Sequence, residues 1–406
     1  MTTSIPARAD SAQLDATDPL AAHRDLFIGS ETDLVYLDGN SLGRPLRSTA
    51  ERLGTFVAEE WGGRLIRGWD ERWFDLPRTL GDRIGAALLG AAPGQTAVGD
   101  STTVLLYKMV RAAVAAHPER REIVVDTDNF PTDRYIVEGV ARECGLDVVW
   151  ITPDHTRGVT PELLAPVLGE QTALVLVSHV AYKSGFLADG PALAELTHAA
   201  GGWLLLDLSH STGSVPLELD AWGVDLAVGC TYKYLNGGPG APAFGYVAAR
   251  HLDSGAFEQP IQGWMGAAEP FRMGPSYEPA PGIRRLISGT PPVLGMLALE
   301  DMVGLIESVG MAAVRAQSVA LTEHAIALVD DVLPEVELRS PRPSAERGGH
   351  ITIGHPRMRE VTAALWRRDV IPDFREPDAL RIGLSPLSTS FVEVEAGIRA
   401  VRDLLD

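Results

Sequence analysis

The stretch Trp203–Gly240 reads WLLLDLSHSTGSVPLELDAWGVDLAVGCTYKYLNGGPG. It opens on an apolar run, Trp203–Leu206, that ends in a carboxylate, Asp207, with His210 three positions on. A second, mostly apolar run, Val224–Val228, leads into Thr231-Tyr232-Lys233-Tyr234 and then a glycine- and proline-rich loop, Asn236–Gly240. Short apolar runs bounded by turn residues read as buried strands, which puts Asp207 and Lys233 at two strand ends. An unpaired ammonium in apolar surroundings is costly, so a buried lysine needs a reason. Alone, Lys233 reads as a surface lysine after a strand. With Asp207 and His210 it meets the needs of pyridoxal phosphate (PLP). That cofactor takes a lysine amine to hold its aldehyde, and an anion to keep its pyridine nitrogen protonated.

The strings Asp-x-x-His at 207–210 and Tyr-Lys-Tyr-Leu-Asn-x-Gly-Pro-Gly at 232–240 resemble kynureninase, a fold-type-I PLP enzyme of the class V aminotransferase superfamily. Further matches extend from Tyr36 to Phe391. The resemblance implies an α/β fold with a mostly parallel central sheet, helices on both faces and a small α/β C-terminal domain. Alternating strand and helix patterns from Glu122 to Val228 point the same way. The expected organisation is a mobile arm over residues 1–20, an N-terminal segment over 21–60, a large PLP-binding domain over 61–299 and a small domain over 300–406.

Composition sets outer limits. With 406 residues, 45% of them apolar and 22% charged, the chain is sized for two ordinary globular cores. A net charge of −19 argues against nucleic acid or an anionic membrane as partner, since both favour a basic face. No apolar run reaches the ~18 residues a membrane helix needs. Two cysteines, Cys144 and Cys230, exclude a disulfide scaffold and suit a reducing cytoplasm. The first twenty residues mix Arg8 with Asp10, Asp15 and Asp18 and lack the apolar core of a signal peptide.

Ser101 or Thr102 reads as the cap of a helix over Val104–Ala115, whose free N–H groups and dipole suit a phosphate. The residues alone allow an ordinary cap; the resemblance places the cofactor phosphate on Thr102 and Thr103. Phe130-Pro131-Thr132-Asp133 matches a family motif in which Phe130 stacks on the pyridine and Asp133 contacts the pocket. Ser101, Phe130, Ser178 and Asp207 all fall near strand carboxyl ends, where such sheets bind ligands. LDGNSLG at 37–43 reads equally as a strand-to-helix turn or a ligand contact through Asn40. Trp69 and Trp73 read as core from composition, whereas the resemblance brings Trp69 near the substrate ring.

By the same resemblance Trp264 packs at the phosphate end, and Ser288–Pro292 reaches the neighbouring subunit's cofactor through Thr290. Arg381, with Arg375 behind it, is the choice for the substrate α-carboxylate, which a guanidinium fork holds best. Either arginine also reads as a strand-end ion pair. Lys183 has no carboxylate strand arranged before it and reads as a decoy. Departures from the family pattern stand at Ala181, Met265, Ala267 and Ser388. No metal is assigned: the acidic run 126–133 lacks the glycine of a calcium loop, and His350 and His355 are wrongly spaced for one strand face. The loop 236–240 lacks the Gly-Lys-Ser/Thr of a nucleotide P-loop.

The implied activity is hydrolysis of the Cβ–Cγ bond of kynurenine or a substituted kynurenine, with Lys233, Asp207 and Tyr232 catalytic. His210 would orient the ring. A homodimer with shared sites, acting in tryptophan catabolism, goes with it. The alternatives are a β-lyase or a class V aminotransferase on another amino acid. A persulfide-forming desulfurase needs a thiol on a reachable loop, and neither cysteine is so placed. Intact Asp207, Tyr232 and Lys233 speak against a binding protein that has lost catalysis.

Overall fold

The computed structural model describes residues 10–406. The first strand, β1 (Val35–Tyr36), belongs to the N-terminal segment. Then come β2 (Thr96–Val98), β3 (Glu122–Asp126), β4 (Asp147–Ile151), β5 (Thr172–Ser178), β6 (Trp203–Asp207), β7 (Leu226–Gly229) and β8 (Phe244–Val247). The last seven form one sheet in the order β2-β8-β7-β6-β5-β3-β4. Neighbours from β7 through β4 run parallel, while β8 pairs antiparallel with both β7 and β2.

The central strands are apolar on both faces because both faces are covered. Alternate residues feed two separate cores: Leu204 and Leu206 point into one, Trp203 and Leu205 into the other. The carboxyl ends of β3, β5, β6 and β7 carry Asp126, Ser178, Asp207 and Gly229 to one edge of the sheet. The chain leaves β3 for β4 on one side and returns to β5 on the other. A crevice opens at such a reversal.

A second, four-stranded sheet is built from β9 (Glu337–Leu338), β10 (His350–Gly354), β12 (Asp373–Arg375) and β13 (Ala379–Gly383). Its order is β12-β13-β10-β9, and β11 (Val370–Ile371) pairs parallel with β1. Its core joins Ile351, Ile353, Leu380 and Ile382 to Leu321, Val361, Val394 and Ile398 from three helices. The helix Val293–Val309 gives Met296, Leu299, Met302 and Ile306 to the large-sheet core. The helix after it, Met311–Val332, gives Leu321, Ala325 and Val329 to the small one.

The mobile arm expected over residues 1–20 is corrected for its described part. Ser11–Thr17 is a helix, and Ser11 is buried with its Oγ 3.0 Å from His324 Nε2. The Asp15 carboxylate accepts from the N–H groups of Phe391 (2.9 Å) and Val392 (3.0 Å), capping the last helix, Phe391–Leu405. Residues 1–9 lie outside the described residues.

Candidate active site

Lys233 reaches the sheet edge through a short, tightly bonded loop. The Thr231 hydroxyl donates to Pro242 O at 2.6 Å, and the Gly237 N–H donates to Thr231 O at 2.9 Å. Asn236 adopts φ +49°, and its side-chain amide donates to Arg44 O at 2.6 Å. A cavity of about 510 Å³ opens above this loop, walled by the strand ends and by residues 99–103 and 287–292. Lys233 lies in its floor at 9% exposure, its Nζ 3.2 Å from His210 Nε2 and 5.7 Å from the centre of the Phe130 ring. Burial pulls the Lys233 amine below the usual lysine range. It also drives His210 far down, with the Lys233 and Arg381 charges adding to the effect, so His210 is a neutral imidazole.

Two carboxyl groups face the same floor. Asp207 is 6% exposed, and its Oδ1 accepts from the Ser209 N–H at 2.7 Å. Asp133 stands in the first turn of the helix Pro131–Cys144, fully buried, with neither oxygen partnered. Burial first, and then the Asp207 charge, hold Asp133 well above the carboxylate range. Asp133 is therefore held in its neutral form. The loop between β3 and this helix is pinned by the Ser178 hydroxyl, which donates to Asn129 Oδ1 at 2.7 Å. Phe130 meets the Tyr182 ring edge-on at 5.3 Å.

The helix Thr102–Ala116 starts at the cavity wall, where Ser101 Oγ accepts from the Val104 N–H at 3.4 Å. Thr102 and Thr103 line the cavity beside Thr290, which here walls the cavity of its own chain. The Tyr232 hydroxyl joins the lining, and burial raises its pKa, leaving it a protonated acid at neutral pH.

Four expected contacts fall elsewhere. Arg381 is 1% exposed, and its fork is filled by protein acceptors: Tyr182 O (2.8 Å), Ser41 Oγ (2.6 Å) and Asp373 Oδ2 (2.6 Å). It meets the site only through His210, 3.5 Å from Nε2. Asn40 is fully buried behind it. With its amide turned to satisfy both neighbours, Asn40 donates to Asp38 Oδ1 (3.2 Å) and accepts from Arg381 Nε (3.0 Å). Asn40 is thus a support for Arg381 and not a cavity residue. Trp69 packs edge-on against Trp73 at 5.6 Å and lines a separate apolar cleft with Phe56, Trp61 and Leu294. Trp264 is 42% exposed and rests on Phe271 at 5.8 Å, away from the cavity.

Sequence reading missed Asp100, Lys108 and Ser209. Lys108 did carry a signal: a lone lysine inside the apolar run Leu105–Val110 has to be buried or paired. The chain has three lysines. Lys108 is wholly buried against Asp100, and Lys183 pairs with Asp128 at 2.7 Å, which leaves Lys233 as the amine open to the cavity.

A kynureninase of Burkholderia pseudomallei (strain 1106a) is 42% identical over 406 residues, covering 98% of this chain and 95% of its own. The chain belongs to the kynureninase family. A kynureninase of Pseudomonas fluorescens is also 42% identical, over 407 residues, with the same coverage. The family model described as the kynureninase C-terminal domain matches residues 314–401. Among solved structures, a C-DES variant with glycine covalently linked to its PLP cofactor superposes with a TM-score of 0.81 at 18% identity. It covers 94% of this chain and 99% of its own. A cysteine desulfurase of Thermococcus onnurineus NA1 gives 0.77 at 18%, covering 99% and 98%. At that identity the likeness is one of fold, shared between kynureninases and these enzymes.

The residues present fit PLP. A depressed, cavity-facing amine, a carboxylate and an unpartnered neutral carboxyl on one wall, an aromatic face and a helix N-terminus with two hydroxyls are the donor set it requires.

Proposed function

We propose that this protein is a PLP-dependent hydrolase that cleaves the Cβ–Cγ bond of kynurenine or a close relative, taking up water and giving alanine and an anthranilate. The observation that carries the reading is the meeting of Lys233 with Asp133 and Asp207 in one cavity, in a chain 42% identical to kynureninases along nearly its whole length.

Lys233 would hold the cofactor, Asp207 would face the pyridine nitrogen, Phe130 the ring, and Thr102 and Thr103 the phosphate. Bound PLP supplies an electron sink next to the substrate's α-carbon. Burial pulls the Lys233 amine below the usual lysine range, which suits it to take the α-proton. Neutral His210 orients that amine without competing for its proton. Protonated Tyr232 is the acid at hand for the β-carbon released when the acyl group leaves. Arg381 would bind the substrate carboxylate only by releasing the Ser41 hydroxyl or the Asp373 carboxylate, the latter trading one anion for another.

A homodimer fits this reading. Trp61 and Leu294 are exposed in an apolar cleft that shares Pro291 and Pro292 with the cavity wall, and exposed apolar clefts of this kind mark interaction surfaces. A cytoplasmic setting in tryptophan catabolism suits two unbonded cysteines, and no described helix is long and apolar enough to cross a membrane.

The test is incubation of purified protein with L-kynurenine and with 3-hydroxykynurenine. Alanine and the matching anthranilate in equal amounts are expected. Pyruvate would point to a lyase, and a keto acid with aminated cofactor to a transaminase; either would remove the proposal.

A further inference from the structure

Asp100 is an unexpected residue in the wall of a cavity meant for a dianionic phosphate. It lines the cavity directly before the phosphate-facing helix, in the left-handed region at φ +50°, where aspartate is tolerated but not favoured. Its backbone is held in that conformation, with Ala243 N–H donating to its carbonyl at 3.1 Å. A fixed negative charge there repels the ligand the wall is built to attract.

Lys108 answers that charge. It sits two helical turns inside Thr102–Ala116 and is wholly buried. Its ammonium donates to Asp100 Oδ2 at 2.6 Å and to the Leu286 carbonyl. The same Asp100 oxygen accepts from the Ser288 hydroxyl at 3.2 Å. One buried ammonium therefore ties three pieces of the phosphate wall: the loop before the helix, the helix itself and the segment leading to Thr290. Burial alone would push such an amine toward neutrality, and the Asp100 contact opposes it.

We infer that Lys108 is a positioning residue for the cofactor phosphate, whose task is to cancel the Asp100 charge beside that phosphate and so let the wall hold a dianion. The inference rests on the PLP reading of the cavity and goes beyond it. It assigns a role to a lysine that touches neither the substrate nor the phosphate.

The experiment follows cofactor retention, not turnover. Holoenzymes carrying Lys108→Met, Asp100→Asn and both substitutions are diluted at pH 8. PLP release is read from the loss of the visible cofactor band, beside binding of phosphate-free pyridoxal to the cofactor-stripped proteins. Lys108→Met should release PLP at least about tenfold faster than wild type while pyridoxal affinity changes less than about twofold. Adding Asp100→Asn should bring release back to within about threefold of wild type, because the unanswered charge is gone. Retention unchanged in Lys108→Met would overturn the inference. So would an equal loss for pyridoxal, or a double variant as weak as the single one, since each means packing and not charge. If Lys108→Met folds poorly, the Asp100→Asn protein still decides: it must retain PLP at least as well as wild type, and weaker retention overturns the inference. Failure of the wild-type protein itself to bind PLP would instead remove the underlying reading of the cavity.

Discussion

Burial decides the protonation of the groups that face the cavity. Burial and the neighbouring Asp207 charge hold Asp133 in its neutral form, so replacing Asp133 and Asp207 by their amides should have unequal results. Asp133→Asn swaps one neutral group for another and should change kcat/KM by less than about tenfold. Asp207→Asn removes a charge-assisted bond and should lower it by about 10- to 100-fold or more. Comparing the two variants under one assay checks this. Asp126, at the end of β3, gives a pH prediction. Burial and the Asp128 charge push it up to about 7. Its folded pKa is thus above the ordinary carboxyl value near 4, so the folded state binds more protons between the two. Stability should fall as pH rises through that window and level off above about 7. Urea unfolding from pH 4.5 to 8 should show this fall. Asp126→Asn should show a smaller one, with a gain on the order of 2–4 kcal/mol at pH 8. At this scale the sequence was legible in its motifs: Lys233, Asp207, His210 and Asp133, each singled out there, all line the cavity. Arg381 was less so, because residues far apart in the chain, Ser41, Tyr182 and Asp373, fill its fork. Trp69 and Trp264 lie off this chain's cavity, and an aromatic's type does not say which face it packs on.

Elements hold the Lys233 loop from outside the sheet. Gly43 donates its N–H to Tyr232 O at 2.9 Å, and a Cβ added there would lie 2.4 Å from Asn236 Cγ and 2.5 Å from Lys233 O. Gly43→Ala should therefore cost about 1–3 kcal/mol and hasten cofactor loss. Gly54, in the helix Arg47–Thr55, has nothing within 4 Å of such a Cβ. Gly54→Ala should be neutral or stabilise by about 0.5–1 kcal/mol. Thermal unfolding of the pair separates crowding from propensity. Long periodic elements were readable: the helix anticipated over Val104–Ala115 spans Thr102–Ala116. The antiparallel edge of β2 and β8 was not, because strands of three and four residues carry too little alternation to register. Nor was the helix Ser11–Thr17, whose partners His324 and Phe391 lie more than 300 residues away.

For the whole molecule, the apolar cleft of Phe56, Trp61, Trp69 and Leu294 shares Pro291 and Pro292 with the cavity wall. The proposed dimer would cover that cleft. Sedimentation should find a dimer, and Leu294→Arg should shift it toward monomer with faster PLP loss; an active monomeric wild type would contradict this. The central claim is narrower: one amine of three carries the cofactor. Borohydride reduction of the holoenzyme followed by peptide mass mapping tests it most directly. The phosphopyridoxyl mass should sit on Lys233 alone, and its appearance on Lys108 or Lys183, or on no lysine, would contradict the account.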